Sequence, residues 1–100
     1  MAHFFYKLIA PRPTFAVDMT DAEKVLMGTH AVYWKGLLDR GIAVIFGPVA
    51  DPKGAFGMAV VDVEDEAAAR ALILDDPVIL ANQNFGFEIH PMPSAIYRKS

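Results

Sequence analysis

Residues 42–63, IAVIFGPVADPKGAFGMAVVDV, hold two apolar runs on either side of the turn sequence Asp51-Pro52-Lys53-Gly54. Ile42–Val49 and Phe56–Val63 each have the length and composition of a strand, so the stretch reads as a hairpin with a loop of several residues. Both runs are nearly continuously apolar, the pattern of strands covered on both faces. Whatever covers those faces must come from the rest of the chain or from outside it.

Upstream, Gly41 stands where a helix C-cap is expected. The segment before it has the helical period. Ala22, Leu26, His30, Tyr33 and Leu37 share one arc, Trp34 sits at its edge, and Lys24, Gly28, Lys35 and Asp39 lie opposite. Thr20-Asp21-Ala22-Glu23 fits a capping box, the threonine hydroxyl accepting from the Glu23 amide while Glu23 reaches back. Arg12–Asp18 reads as a loop. His3–Ala10 (HFFYKLIA), stopped by Pro11-Arg12-Pro13, reads as the first strand.

Downstream, Glu64–Leu74 is alanine-rich and acidic at its start, a good second helix. Asp75-Asp76-Pro77 ends it, because a residue before proline avoids the helical region. Val78–Asn82 fits one further turn. Asn84–His90 (NFGFEIH) alternates as a fourth strand, ended by Pro91-Met92-Pro93. Ile96-Tyr97 fits a short edge strand or a segment lying on a partner.

The order β-α-β-β-α-β predicts an α+β, ferredoxin-like fold with an antiparallel sheet, spanning residues 1–100 as one domain. Its helices cover one sheet face. No helix remains for the other, so a second copy of the chain is the economical cover, giving a homodimer through the sheet face. Composition agrees. Of 100 residues, 54% are apolar on the AVILMFWYC set; leaving out the 3 Tyr and counting the 7 Gly gives 58, against a usual share of about 45–50%. A short chain buries a small fraction of its surface, so the excess implies a partner surface.

Several function classes find no support. The net charge is −3 with Lys and Arg scattered, Arg98-Lys99 being one short pair, so no stripe tracks a nucleic-acid backbone. No apolar run approaches the roughly 18–20 residues of a membrane span. The start, MAHFFYKLIAPRP, lacks a basic region before a long apolar core, so no signal peptide is expected. With no cysteine there are no disulfides and no thiolate chemistry, which fits a cytoplasmic protein. No Gly-rich phosphate loop, nucleophile elbow or HExxH occurs, and no redox cofactor or metal is implied.

The candidate chemistry rests on histidine and aspartate. His30, on the sheet-facing arc, reads either as a buried histidine held by one hydrogen bond or as a general acid/base. Asp76 reads either as turn and capping chemistry or as the carboxylate that orients His30. His3 and His90 fall opposite one another if Phe4 pairs with Ile89 and Tyr6 with Phe87. With Glu88 they could approach a metal site, but two rim histidines are the simpler reading. Trp34, Tyr6 and Phe46 are candidate walls of a flat apolar pocket between the first helix and the sheet. Gly47-Pro48 bends the second strand and permits close backbone approach.

These residues, taken in order, resemble the YCII-related (YciI-like) family. The resemblance rests on the aromatic first strand, Gly28-Thr29-His30, Leu37-Leu38-Asp39-Arg40-Gly41, Gly47-Pro48, the alanine-rich second helix, and Asp76-Pro77 followed by Val78-Ile79-Leu80-Ala81-Asn82. It implies a dimeric α+β barrel and a His–Asp pair proposed as the active site, at positions that match His30 and Asp76. Some members are similar to enzymes of aromatic-compound breakdown. Asn82 stands where a glycine is common. The expectation is acid/base chemistry of lyase, isomerase or hydrolase type on a small cyclic or aromatic compound. The alternatives are a non-catalytic dimeric module that binds a small ligand and, on the apolar excess alone, an adaptor for a partner protein.

Overall fold

Period-two alternation sets the central strand. β1 (Ala2–Ile9) turns Phe4, Tyr6 and Leu8 to one side, all buried, and His3, Phe5 and Lys7 to the other. It pairs antiparallel with β3 (Phe56–Val63) on one edge and β4 (Gly86–Met92) on the other, and β2 (Ala43–Val49) pairs antiparallel with β3. The sheet order is β2-β3-β1-β4. A computed structural model provides this description and covers residues 1–98; Lys99, of the Arg98-Lys99 pair, lies outside the described residues. Four helical segments connect the strands: α1 (Phe15–Asp18), α2 (Asp21–Asp39), α3 (Glu66–Leu74) and α4 (Pro77–Leu80). Phe4, Tyr6 and Leu8 join Trp34 and Leu37 of α2, Ala69 and Ile73 of α3 and Val78 of α4 in one core, so these helices share one sheet face. The architecture is the expected α+β, ferredoxin-like arrangement.

The caps form where local sequence places them. Thr20 accepts from the Glu23 amide at 3.1 Å and Glu23 accepts from the Thr20 amide at 2.9 Å, completing the capping box of α2. Gly41 ends the helix with φ +74°, a left-handed conformation that glycine adopts without penalty. Asn82 has φ +53°, which explains why a glycine would serve at this position.

A β-bulge decides what β2 presents. Ala43 pairs with Val61 but Ile45 pairs with Val60, so Val44 is an extra residue in the ladder. The insertion reverses the alternation beyond it. Phe46, opposite Ala59, therefore faces the helices, while Ile45 points to the open face and is 53% exposed.

Several local expectations are corrected. The Arg12–Asp18 segment is not all loop, since Phe15–Asp18 form the helical turn α1. Trp34 is at the centre of the buried face of α2, 1% exposed, whereas Ala22 is exposed. The second long helix starts at Glu66 rather than Glu64, because Asp65 is its N-cap and accepts from the Ala68 amide. β4 starts at Gly86, after the left-handed Asn84, and continues through Pro91 to Met92. It is an edge strand, where the missing N–H of a proline is tolerated. The β1–β4 register is two residues from the one expected: His3 pairs with Met92 and Phe5 with His90. His3 and His90 are thus not opposite one another. His3 Nε2 lies 3.8 Å from Asp62, and His90 Nε2 lies 3.0 Å from Glu88. Ile96 and Tyr97 form no strand; the Tyr97 ring lies 5.6 Å from that of His3.

Candidate active site

Asp76 occupies the corner between α3 and α4. Pro77 holds it in an extended conformation, φ −61° and ψ 129°, and its side chain turns inward to complete burial. A buried carboxylate is tolerable only if its oxygens are hydrogen-bonded, and these are. Oδ1 accepts from the Val78 amide at 3.0 Å, which caps α4. Oδ2 accepts from Trp34 Nε1 at 2.7 Å and, at a longer 3.4 Å, from the Tyr6 hydroxyl. His30 Nδ1 stands 2.9 Å from both oxygens.

His30 and Trp34 are one turn apart on α2, so the helix delivers imidazole and indole to the same carboxylate. A carboxylate only accepts, so Nδ1 donates its proton, and in the neutral form of the ring Nε2 carries the lone pair. Nε2 has no hydrogen-bond partner among the described residues, and the His30 ring lines a cavity. Burial, and then the nearby negative charge of Asp76, hold the Tyr6 hydroxyl far above the ordinary tyrosine range.

The cavity measures about 320 Å³ and lies between α2 and the sheet. Trp34, Tyr6 and Phe46 all line it. Trp34 stacks on Tyr6, with centroids 5.2 Å apart and an interplanar angle of 16°, and Phe46 reaches its place through the Val44 bulge. Gly57 forms part of the floor; a Cβ there would sit 3.3 Å from that of Leu8. Phe15 and Ala16 of α1, with Met19, supply further wall.

Arg12 pins that wall in place. Its guanidinium bonds both Glu23 oxygens, at 2.9 and 2.7 Å, and both the side chain and backbone carbonyl of Asp18, at 2.7 and 2.9 Å. The Glu23 carboxyl is thereby held down at about 2. That of Asp18 is also lowered, first by the Thr14 hydroxyl and then by Arg12.

Sequence reading missed the bond between Trp34 and Asp76 and the wall made by α1. The available signal for the first was the spacing of four between His30 and Trp34, which puts both side chains on one helix face.

A profile of the YCII-related domain matches residues 4–93. Among solved structures, muconolactone isomerase is similar with a TM-score of 0.68 at 20% identity, over 97% of each chain. 5-Chloro-2-hydroxyhydroquinone dehydrochlorinase of Burkholderia phenoliruptrix, in complex with 2,5-dihydroxybenzoquinone, has a TM-score of 0.58 at 13% identity, over 92% of this chain and 95% of that one. A Nitrosomonas europaea protein of unknown function has a TM-score of 0.53 at 11% identity, over 99% of this chain and 96% of that one. No curated protein sequence matches the chain.

Proposed function

The chain belongs to the YCII-related domain family, and from that premise we propose an enzyme that uses His30 and Asp76 for acid/base chemistry on a small cyclic or aromatic compound. The observation that carries this reading is the contact of His30 Nδ1 with both Asp76 oxygens at 2.9 Å, in the wall of an apolar cavity. In this reading Nε2 takes a proton from the substrate or returns one. Asp76 holds the tautomer that frees Nε2 and stabilises the imidazolium once it forms. Elimination, isomerisation and hydrolysis all need such a group. Trp34, Tyr6 and Phe46 act as walls that orient a flat ring. Two proteins that share the fold are named for a lactone and a chlorinated hydroxyhydroquinone, which supports small cyclic compounds as the substrate class.

We further propose that a second copy covers the open sheet face. Phe5, Met58, Val60 and Ile45 lie on that side, and no helix among the described residues packs there. Ile45→Glu would then convert a dimer into a monomer in sedimentation. No helix among the described residues is long and apolar enough to cross a membrane, and a cytoplasmic location belongs to the same proposal.

Turnover of small lactones and hydroxylated aromatics tests the reading. His30→Ala is expected to lower kcat by about 10²-fold or more. Asp76→Asn removes the charge that stabilises the imidazolium and turns an NH2 group onto a neighbouring N–H donor, so the rate and the stability are both expected to fall. An unchanged rate in His30→Ala ends the proposal. The almost wholly apolar lining favours a second reading, a non-catalytic binding module. For that reading, His30→Asn folds and binds the same compounds, and none is turned over.

A further inference from the structure

Among the described residues, three side chains lining the cavity carry nitrogen or oxygen: Tyr6, His30 and Trp34. The Tyr6 hydroxyl and the Trp34 indole N–H both point to Asp76, as does His30 Nδ1. His30 Nε2 is the one side-chain polar atom left to meet a ligand. No lysine or arginine among the described residues lines the space. Arg12 lies over the Phe15 ring at the wall, but its guanidinium is committed to Asp18 and Glu23.

From this we infer that the cavity takes an uncharged ring compound bearing a hydroxyl donor and rejects carboxylates and phosphates of the same size. The inference rests on the reading of the His30 cavity as the working site and adds the charge and hydrogen-bonding character of what enters it. Three physical reasons carry it. An anion entering an apolar space loses its hydration, and no fixed cation here replaces it. A neutral imidazole whose Nδ1–H is given to a carboxylate presents a lone pair at Nε2, so the matching ligand group is a donor. An apolar cavity of about 150 Å³ admits benzene, so one of about 320 Å³ suits a single substituted ring. An anion could find a countercharge only by binding together with a proton, and alkaline pH disfavours that uptake by mass action.

The experiment compares three probes on the full chain at pH 8.5: 4-methylphenol, its methyl ether and 4-methylbenzoate. Trp34 is the only tryptophan, so its indole N–H gives a single resonance in the wall of the site. 4-Methylphenol is expected to move that resonance saturably. The ether, which has no donor, should bind about tenfold more weakly, and the benzoate at least about a hundredfold more weakly. Benzoate binding within about threefold of the phenol on the same resonance would overturn the inference, as would an ether that binds as well as the phenol, or no response to any probe. The proton-transfer reading fails separately, through unchanged turnover in His30→Ala. A benzoate-binding cavity would leave that reading standing, and a phenol-selective cavity without catalysis would leave the present one standing.

Discussion

The indole Nε1 of Trp34 donates a 2.7 Å hydrogen bond to Oδ2 of Asp76 and so joins the middle of α2 to the corner between α3 and α4. Both side chains are almost wholly inside, at 1% and 0% exposure. A bond to a buried carboxylate is among the stronger ones a protein makes. Trp34→Phe keeps the ring stacking but removes the donor and leaves a small void. The expected loss is about 2–4 kcal/mol, read from urea denaturation. A loss below about 0.5 kcal/mol would mean that the bond adds nothing beyond ordinary packing.

Acid should loosen the N-terminal end of α2. The Arg12 bonds hold the Glu23 carboxyl at about 2, against an ordinary 4.5. A depressed carboxyl contributes stability that is complete above its unfolded value and is lost as pH falls through the folded one. The urea midpoint should therefore decline between about pH 4.5 and 2. In Arg12→Met, which keeps an apolar stem over Phe15, the decline over that window should be shallower. Parallel curves for the two proteins would show that Arg12 plays no part.

Alkali should act through Tyr33, whose hydroxyl donates to the Leu72 carbonyl at 2.6 Å and ties α2 to α3. Burial, and then the charges of Asp75 and Asp76, push this hydroxyl from 10.0 up to about 12. A raised value means the contribution is present below the unfolded value and is lost as pH rises through the folded one. The denaturation midpoint should fall between pH 10 and 12, and the fall should be smaller in Tyr33→Phe. Absorbance at 295 nm identifies the titration. An equal fall in both proteins would remove Tyr33 as its cause.

Two glycines should respond to the same substitution with opposite signs. Neither Gly28 nor Gly41 has anything within 4 Å of where a Cβ would stand, so packing is not at issue in either. Gly41 has φ +74°, and Gly41→Ala should cost about 1 kcal/mol. Gly28 lies inside α2, and Gly28→Ala should add about 0.5–1 kcal/mol of stability. Thermal unfolding distinguishes them; shifts of the same sign would contradict the conformational account.

What could be read from the sequence was local. The capping box at Thr20 and Glu23, the C-cap at Gly41 and the bounds of β3 depend on neighbours within a few positions, and they stand as read. The Val44 bulge was not legible, because a continuous apolar run such as Ala43–Phe46 gives no sign of which residue drops out of the ladder. The β1–β4 register failed for a related reason: Pro91 reads as a strand end unless the strand is known to lie at an edge. α1 escaped because a four-residue turn has no periodicity to detect; Arg12 bonds on both sides of it, to Asp18 and Glu23. His30 and Asp76 could each be singled out by residue type. That Trp34 shares the same carboxylate is a long-range fact that no local pattern records.

The many bonds of Asp76 separate two kinds of inheritance. Its carboxylate caps α4, anchors Trp34 and bonds His30, so a descendant that abandoned all chemistry would still need it to fold. His30 carries no such obligation, being partly exposed and, among the described residues, bonded through Nδ1 alone. Among relatives of this chain, retention of the aspartate would therefore be uninformative about activity. Drift at the histidine would mark the lineages in which the cavity has been given over to something else.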